Sequence, residues 1–410
     1  MAEITSLRNE NSKDYSIGGG KFQRVITGQP QHYKDDYKDA KEAWKDIDLT
    51  IVNGRVDKAP YIMVIDGNKV AVTDKKTGKA SIVELLKVGD TTISKTDLSA
   101  DSKSAEIIKD VDYDLVFTRT QIKFQRTIKT AEALKEATFK ITGDIPVIYS
   151  AVDADGDAVQ VNIMQDKEGN VVESFVAEKT LISTAGGKIT ESKVAPTYPI
   201  KIDPTLTISG TGKDTYISRY DPTTNYGSNS PIGLRTNAGS TYREHILVSM
   251  PFLDSLPSSA VISDSKFHIY FGADFTGSSV GQTITLYKNR RADWVEGEAT
   301  WNIYKSGSNW GTAGCENTTS DIDTSITATQ TQPAVGEWLI FDVDSIISDA
   351  RTNSLDFNVR MSITDSSTDR LPLYRSKENT VGDEYDPKLV IEYTVSGLAK
   401  KHHYYQKMMG

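Results

Sequence analysis

Cysteine is almost absent from this chain of 410 residues: Cys315 stands alone. An intrachain disulfide is therefore excluded, as is any zinc or iron–sulfur site built from several cysteines. Histidine is scarce as well, with His32, His245, His268, His402 and His403 as the full set. Only the 402–403 doublet pairs two at a metal-site spacing, and it is read as contributing to docking or to nothing. No stretch of 18 or more apolar residues occurs, so no membrane-spanning helix is expected. The first ten residues hold no apolar segment of signal-peptide length, from which no export address is expected. A basic excess is lacking too. The 47 Lys and Arg against 56 Asp and Glu leave a formal charge of -9, which argues against a nucleic-acid partner. Gly-x-Ser-x-Gly, Gly-x-x-x-x-Gly-Lys-Ser/Thr and His-Glu-x-x-His motifs are missing, and no pair of carboxylates is nominated for glycoside cleavage. No enzymatic activity is expected.

What is present is ordinary globular composition, 38% hydrophobic and 25% charged, over a length that suits two or three domains at roughly 150 residues each. The dominant periodicity is two. Tyr61 to Ile65 and Val70 to Val72 read as a hairpin around Asp66-Gly67-Asn68. Pro146 to Ala151 and Val159 to Met164 flank a loop, and Val171 to Val176 follows the turn at 167–170. Phe267, Ile269 and Phe271 alternate with Lys266, His268 and Tyr270, and Phe357, Val359, Met361 and Ile363 with Asn358, Arg360 and Ser362. Helix signals are confined to Tyr33 to Trp44 and Thr130 to Glu136. The pattern predicts an all-β protein of two antiparallel, jelly-roll-like β-sandwich domains with polar terminal arms. Three prolines in residues 195–204 should interrupt sheet pairing and mark a boundary near 205. The expected layout is an N-terminal arm 1–18, an anchoring β domain 19–204, a sandwich 205–396 and a C-terminal tail 397–410.

Several ordered motifs make the second half recognisable: Asp214-Thr215-Tyr216-Ile217 with Asn225-Tyr226-Gly227, Trp294-Val295-Glu296-Gly297 with Thr300-Trp301-Asn302 and Trp310-Gly311, Trp338 with Phe341-Asp342-Val343, and Ser376-Lys377-Glu378 with Pro387 to Ile391. Together they resemble the DNRLRE-type β-sandwich, a carbohydrate-binding-module-like domain of bacterial surface proteins and some phage proteins. Residues 26–48 and the junction 198–204 are similar to the module preceding such domains in wall-associated and YD-repeat proteins. The resemblance implies a surface-displayed sandwich that binds or presents glycans.

Within that frame, Trp294, Trp301 and Trp310 have two readings: indole faces can stack on sugar rings, or they can fill the core. Trp301 goes to the core, and Trp294 and Trp310 are kept as candidates for a glycan face. Lys288, Arg290 and Arg291 could clamp an acidic polysaccharide, or be a solvated loop. Glu296 and Asn302 are read as satisfying loop backbone groups in preference to contacting sugar. Asp153, Asp155 and Asp157 imitate the start of a calcium loop, but Ala158 and Met164 replace the required glycine and carboxylate. No cofactor is expected, with calcium in irregular loops left open. Cys315 is read as an inert thiol. Three settings follow. The first is a virion structural protein on a phage surface, a homo-oligomer docked through its N-terminal domain and arms. The second is a bacterial cell-surface or secreted glycan-binding module. The third is an accessory to a polysaccharide lyase or glycosidase.

Overall fold

A computed structural model of the chain describes residues 1, 3–154, 159–176, 179–185, 188–207, 212–236, 242–252, 256–277, 279–363, 368–379 and 383–395. The fold is all-β, half strand and one-twentieth helix, with antiparallel sheets throughout, as the period-two patterning requires. Contacts divide the chain into two units, Tyr33–Ser209 and a second made of Met1–His32 with Gly210–Gly410.

In the first unit, an eight-stranded and a five-stranded sheet enclose one core that runs from Val56 to Leu206. The hairpin Tyr61–Asp66 and Lys69–Asp74 forms as expected. Val147–Val152 does not pair with Val161–Gln165 across the 153–160 loop; it pairs with Ile200–Thr207, while Val161–Gln165 joins the other sheet. The proline-rich segment also departs from expectation. Ile200–Thr207 is an interior strand, and Pro204, which has no N–H to give, falls at a gap in the ladder between Lys123–Thr205 and Arg126–Ile202. Across the core, Arg126 of one sheet pairs with Glu173 of the other at 3.1 Å, both fully buried.

Neither expected helix forms. In residues 33–44 short acidic side chains take the backbone for themselves: Asp36 accepts the Lys38 N–H, Asp39 that of Lys41, and Glu42 those of Asp35 and Asp36. The α-helix among the described residues is Asp344–Thr352, which buries Ile346, Ile347 and Ala350 on one face against the second unit's core.

That second unit is a sandwich. Its seven-stranded sheet is built on the 15-residue strand Ala260–Asp274, with Lys388–Val395 and Trp338–Asp342 on either side. The opposing sheet runs Lys213–Ser218, Glu244–Met250, Phe357–Ile363, Thr283–Asn289, Ile322–Thr331. Inward residues of both sheets, among them Phe267, Phe271, Phe341, Phe357, Met361 and Ile391, form one core. Residues 1–18 are not a free arm. Ser12–Gly18 and Lys21–Thr27 make a hairpin around Gly18-Gly19-Gly20, all at positive φ, and add to the sheet beside Lys388–Val395. Composition hid this because the anchor is polar: the buried Arg24 guanidinium pairs with Asp14, which also accepts the Tyr393 hydroxyl at 2.6 Å. The 397–410 tail, with His402 and His403, lies outside the described residues.

Candidate functional site

After Thr283–Asn289 the chain leaves the five-stranded sheet and folds back over its outer face before returning at Ile322. This flap seals a second apolar cluster, in which Trp294, Trp301, Trp310, Ala299 and Cys315 cover the outward-facing Ile217 and Leu247. Trp294 is 1% exposed and Trp310 4%. The Trp294 Nε1 donates to Asn358 Oδ1 at 3.0 Å and the Trp310 Nε1 to the Thr300 carbonyl at 2.9 Å. The indole faces proposed for sugar stacking are therefore occupied by protein, and these residues form a mini-core. Gly314, at φ +85°, lies so close to Trp301 that an added Cβ would stand 2.5 Å from the ring. Burial pushes the Cys315 thiol up, which accords with an unreactive side chain.

The cation cluster does not converge either. Lys288 pairs with Asp349, Arg290 with Asp323 at 2.6 Å, and Arg291 stacks over Tyr304 with Asp321 at 3.5 Å. Each cation is answered by its own carboxylate, so no joint anion clamp results. Asp153 accepts the Thr197 N–H at 3.0 Å, a turn contact, and Asp155 and Asp157 lie outside the described residues.

Three motif pieces do meet. Asp214, Glu296 and the pair Lys377-Glu378 come from segments 82 and 81 residues apart in sequence, as the Asp214–Glu296 and Glu296–Lys377 numbering shows. Asp214 N–H donates to Glu296 Oε1 at 2.6 Å, and Lys377 N–H donates to Asp214 Oδ2 at 2.8 Å. The Lys377 ammonium pairs with Glu296 Oε2 at 3.0 Å and with Glu378. Burial raises the Asp214 and Glu296 carboxyls, Glu296 to about 7. The three carboxylates lie within 4.8 Å of one another, a spacing one cation can bridge, and the Lys377 ammonium itself supplies that positive charge.

Where the flap ends, the rest of the sheet's outer face stays open as a cleft of about 240 Å³. Strand alternation explains its polarity: Leu286, Val359 and Met361 point into the core, so Thr285, Tyr287, Arg360 and Ser362 point out. Arg235 and Arg243 border it. Arg360, 6% exposed, donates to the Cys315 carbonyl at 3.1 Å and lies 4.7 Å over the Tyr287 ring, while its Nε has no hydrogen-bond partner among the described residues. Arg235 pairs with Asp369 at 2.7 Å and Arg243 with Glu316 at 2.7 Å. His245 donates from Nδ1 to the Gly314 carbonyl at 2.8 Å. Burial, then Arg360, drives its pKa well below 6.5, so the imidazole is neutral. Sequence inspection missed the cleft's arginines, although the alternation already placed Arg360 opposite the core-facing residues of its strand.

The neutral His245 carries a pH signature. Because its folded pKa is lowered, the unfolded chain binds the extra proton below pH 6.5, so this stabilisation is complete above that pH and is lost as pH falls. Urea midpoints at pH 7.5 and 5 should show wild type losing about 2 kcal/mol more than His245→Gln, from roughly 1.5 pH units at about 1.36 kcal/mol each. Equal losses in both proteins would show that His245 titrates normally.

Residues 207–393, which take in the β-sandwich, match Carbohydrate-binding module family 96, so this region is similar to a carbohydrate-binding β-sandwich. More widely, the chain is similar to the tRNA(Glu)-specific nuclease WapA of Bacillus subtilis subsp. natto, 23% identical over 365 residues, covering 74% of this chain and 15% of that protein. The tRNA nuclease WapA of Bacillus subtilis strain 168 is 22% identical over the same coverage. The chain thus spans about 15% of the length of these relatives, and the nuclease activity in their names is a property of those whole proteins. Among solved structures, the N-terminal domain of the Streptococcus gordonii adhesin Sgo0707 aligns over 94% of this chain and 91% of that one, at 7% identity and a TM-score of 0.16, a likeness too slight to carry an argument.

Proposed function

We propose that this chain is a non-catalytic, glycan-binding part of a bacterial cell-surface or secreted protein, and that the arginine-lined cleft takes an acidic polysaccharide. The observation that carries the reading is the open face on which the Arg360 guanidinium, with no carboxylate paired to it among the described residues, meets the hydroxyls of Thr285 and Ser362, while Arg235 and Arg243, paired with Asp369 and Glu316, border it. Guanidinium groups match carboxylates in plane and charge, and hydroxyls match sugar hydroxyls. The carbohydrate-binding family match supports a glycan ligand, and the Bacillus relatives favour a bacterial setting over a virion. The carbohydrate-binding family match and the Bacillus relatives support an extracellular or cell-wall location. A shallow cleft implies modest single-site affinity, which display of many copies would multiply.

The test is affinity electrophoresis of the full chain through polygalacturonate and, as a neutral control, amylose. Wild type should be retarded by polygalacturonate alone, less so at high salt. Arg243→Gln and Arg360→Gln should each bind about tenfold more weakly, as loss of one charge-assisted hydrogen bond predicts. Equal retardation by both polymers, or variants that bind like wild type, would overturn the assignment.

A further inference from the structure

On the opposite side of the same sandwich, the outer face of the seven-stranded sheet carries a second group of residues that the cleft does not use. Phe267, Ile269 and Phe271 enter the core, so His268 and Tyr270 face out. Register sets Tyr270 beside Trp338 on one neighbouring strand and His268 beside Lys388 on the other. The Tyr270 and Trp338 rings are 5.3 Å apart edge to face, His268 stands 6.0 Å from Trp338, and Tyr385 4.6 Å from Tyr270. All four rings are half-buried, and Ile340 beside them is 37% exposed.

Lys388 completes the group. Its ammonium lies 4.0 Å over the Trp338 ring, and among the described residues no carboxylate is within 4.0 Å of it. That sets it apart from Lys266, Lys288, Arg290 and Arg291, each of which has its own acid. Burial and the neighbouring Lys388 and Lys266 hold His268 neutral, at about 4, so it does not supply a second charge. Asp386, buried and accepting the Asn379 amide, acts on Lys388 only from beyond ion-pair distance. An apolar ring surface next to one cation outside any ion pair is what a sugar with an apolar C–H face and a carboxylate requires.

We propose that this face is a second polysaccharide contact, seating an acidic sugar residue on the Trp338–Tyr270 pair with its carboxylate against Lys388. The sandwich then holds two glycan segments at once, one on each sheet, and bridges them. The inference rests on the cleft being a glycan site, and the two can fail separately.

Calorimetric titration of the full chain with an oligogalacturonate tetrasaccharide tests it. Wild type should take up two equivalents. Trp338→Ala and Lys388→Met should each take up one, Arg243→Gln with Arg360→Gln should leave the other, and combining the two sets should abolish uptake. Lys388→Met keeps the aliphatic stem over the indole, so it reports binding even where Trp338→Ala weakens the fold. One equivalent in wild type, unchanged in Lys388→Met and lost in the arginine variants, would overturn the second face and leave the cleft standing. One equivalent that survives the arginine variants and disappears in Lys388→Met would keep the face and remove the cleft. No uptake by wild type would overturn both.

Discussion

Replacing Lys377 by methionine is expected to destabilise the sandwich unit by about 3–5 kcal/mol, the usual cost of removing one partner from a buried ion pair. Lys377 is 4% exposed and is the cation among three buried or nearly buried carboxyls, Asp214, Glu296 and Glu378. Without it, the native state must hold protons on acids that the unfolded chain releases above about pH 4.5. Carboxyls raised in the folded state make stability fall as pH rises through the interval between the unfolded and folded values. The defect should therefore be larger at pH 8 than at pH 5. Four of the five tryptophans, Trp294, Trp301, Trp310 and Trp338, belong to this unit, so indole emission during urea unfolding follows it directly. Adding Glu296→Gln to Lys377→Met should restore part of the loss by removing one unpaired acid. A Lys377→Met midpoint within about 0.5 kcal/mol of wild type would show that the cluster is water-accessible and weakly coupled.

How much of this was legible in the sequence depends on the range of the interaction. Alternation along a strand is local, so the all-β class, the hairpin at 61–74 and the inward set Phe267, Ile269 and Phe271 could be read directly. Strand partners are not local. Nothing near Asp14 indicates that its carboxylate will meet Tyr393, 379 residues away, and so a polar hairpin read as a loose arm. The same limit explains the cations at 288–291. Their density on the chain suggested a shared anion site, but neighbouring side chains on a strand and its exit point in different directions, and Asp349, Asp323 and Asp321 answer them one by one. The cleft arginines were invisible for the converse reason, being spread from 235 to 360 and brought together only by sheet order. Among the motif pieces, Asp214, Glu296 and Lys377 belonged together, yet only the fold shows that their common purpose is a buried charge cluster.

Trp294 offers the sharpest separation between packing and binding. Trp294→Ala should cost about 3–5 kcal/mol, the range for emptying a buried aromatic site. The ring is 1% exposed, and its Nε1 is tied to Asn358, whose amide in turn donates to the carbonyls of Asn289 and Arg291. Losing it opens the flap from the sheet, and glycan binding would fall only because Cys315 and Glu316, which position Arg360 and Arg243, belong to that flap. Trp294→Phe keeps most of the apolar volume and forfeits one buried hydrogen bond, an expected loss of about 1–3 kcal/mol with Asn358 Oδ1 left unsatisfied. In that folded variant the affinity for oligogalacturonate should match wild type, since no face of residue 294 is open to a sugar. If Trp294→Phe instead melts like wild type but binds tenfold more weakly, the indole is a ligand platform and the flap must open to expose it.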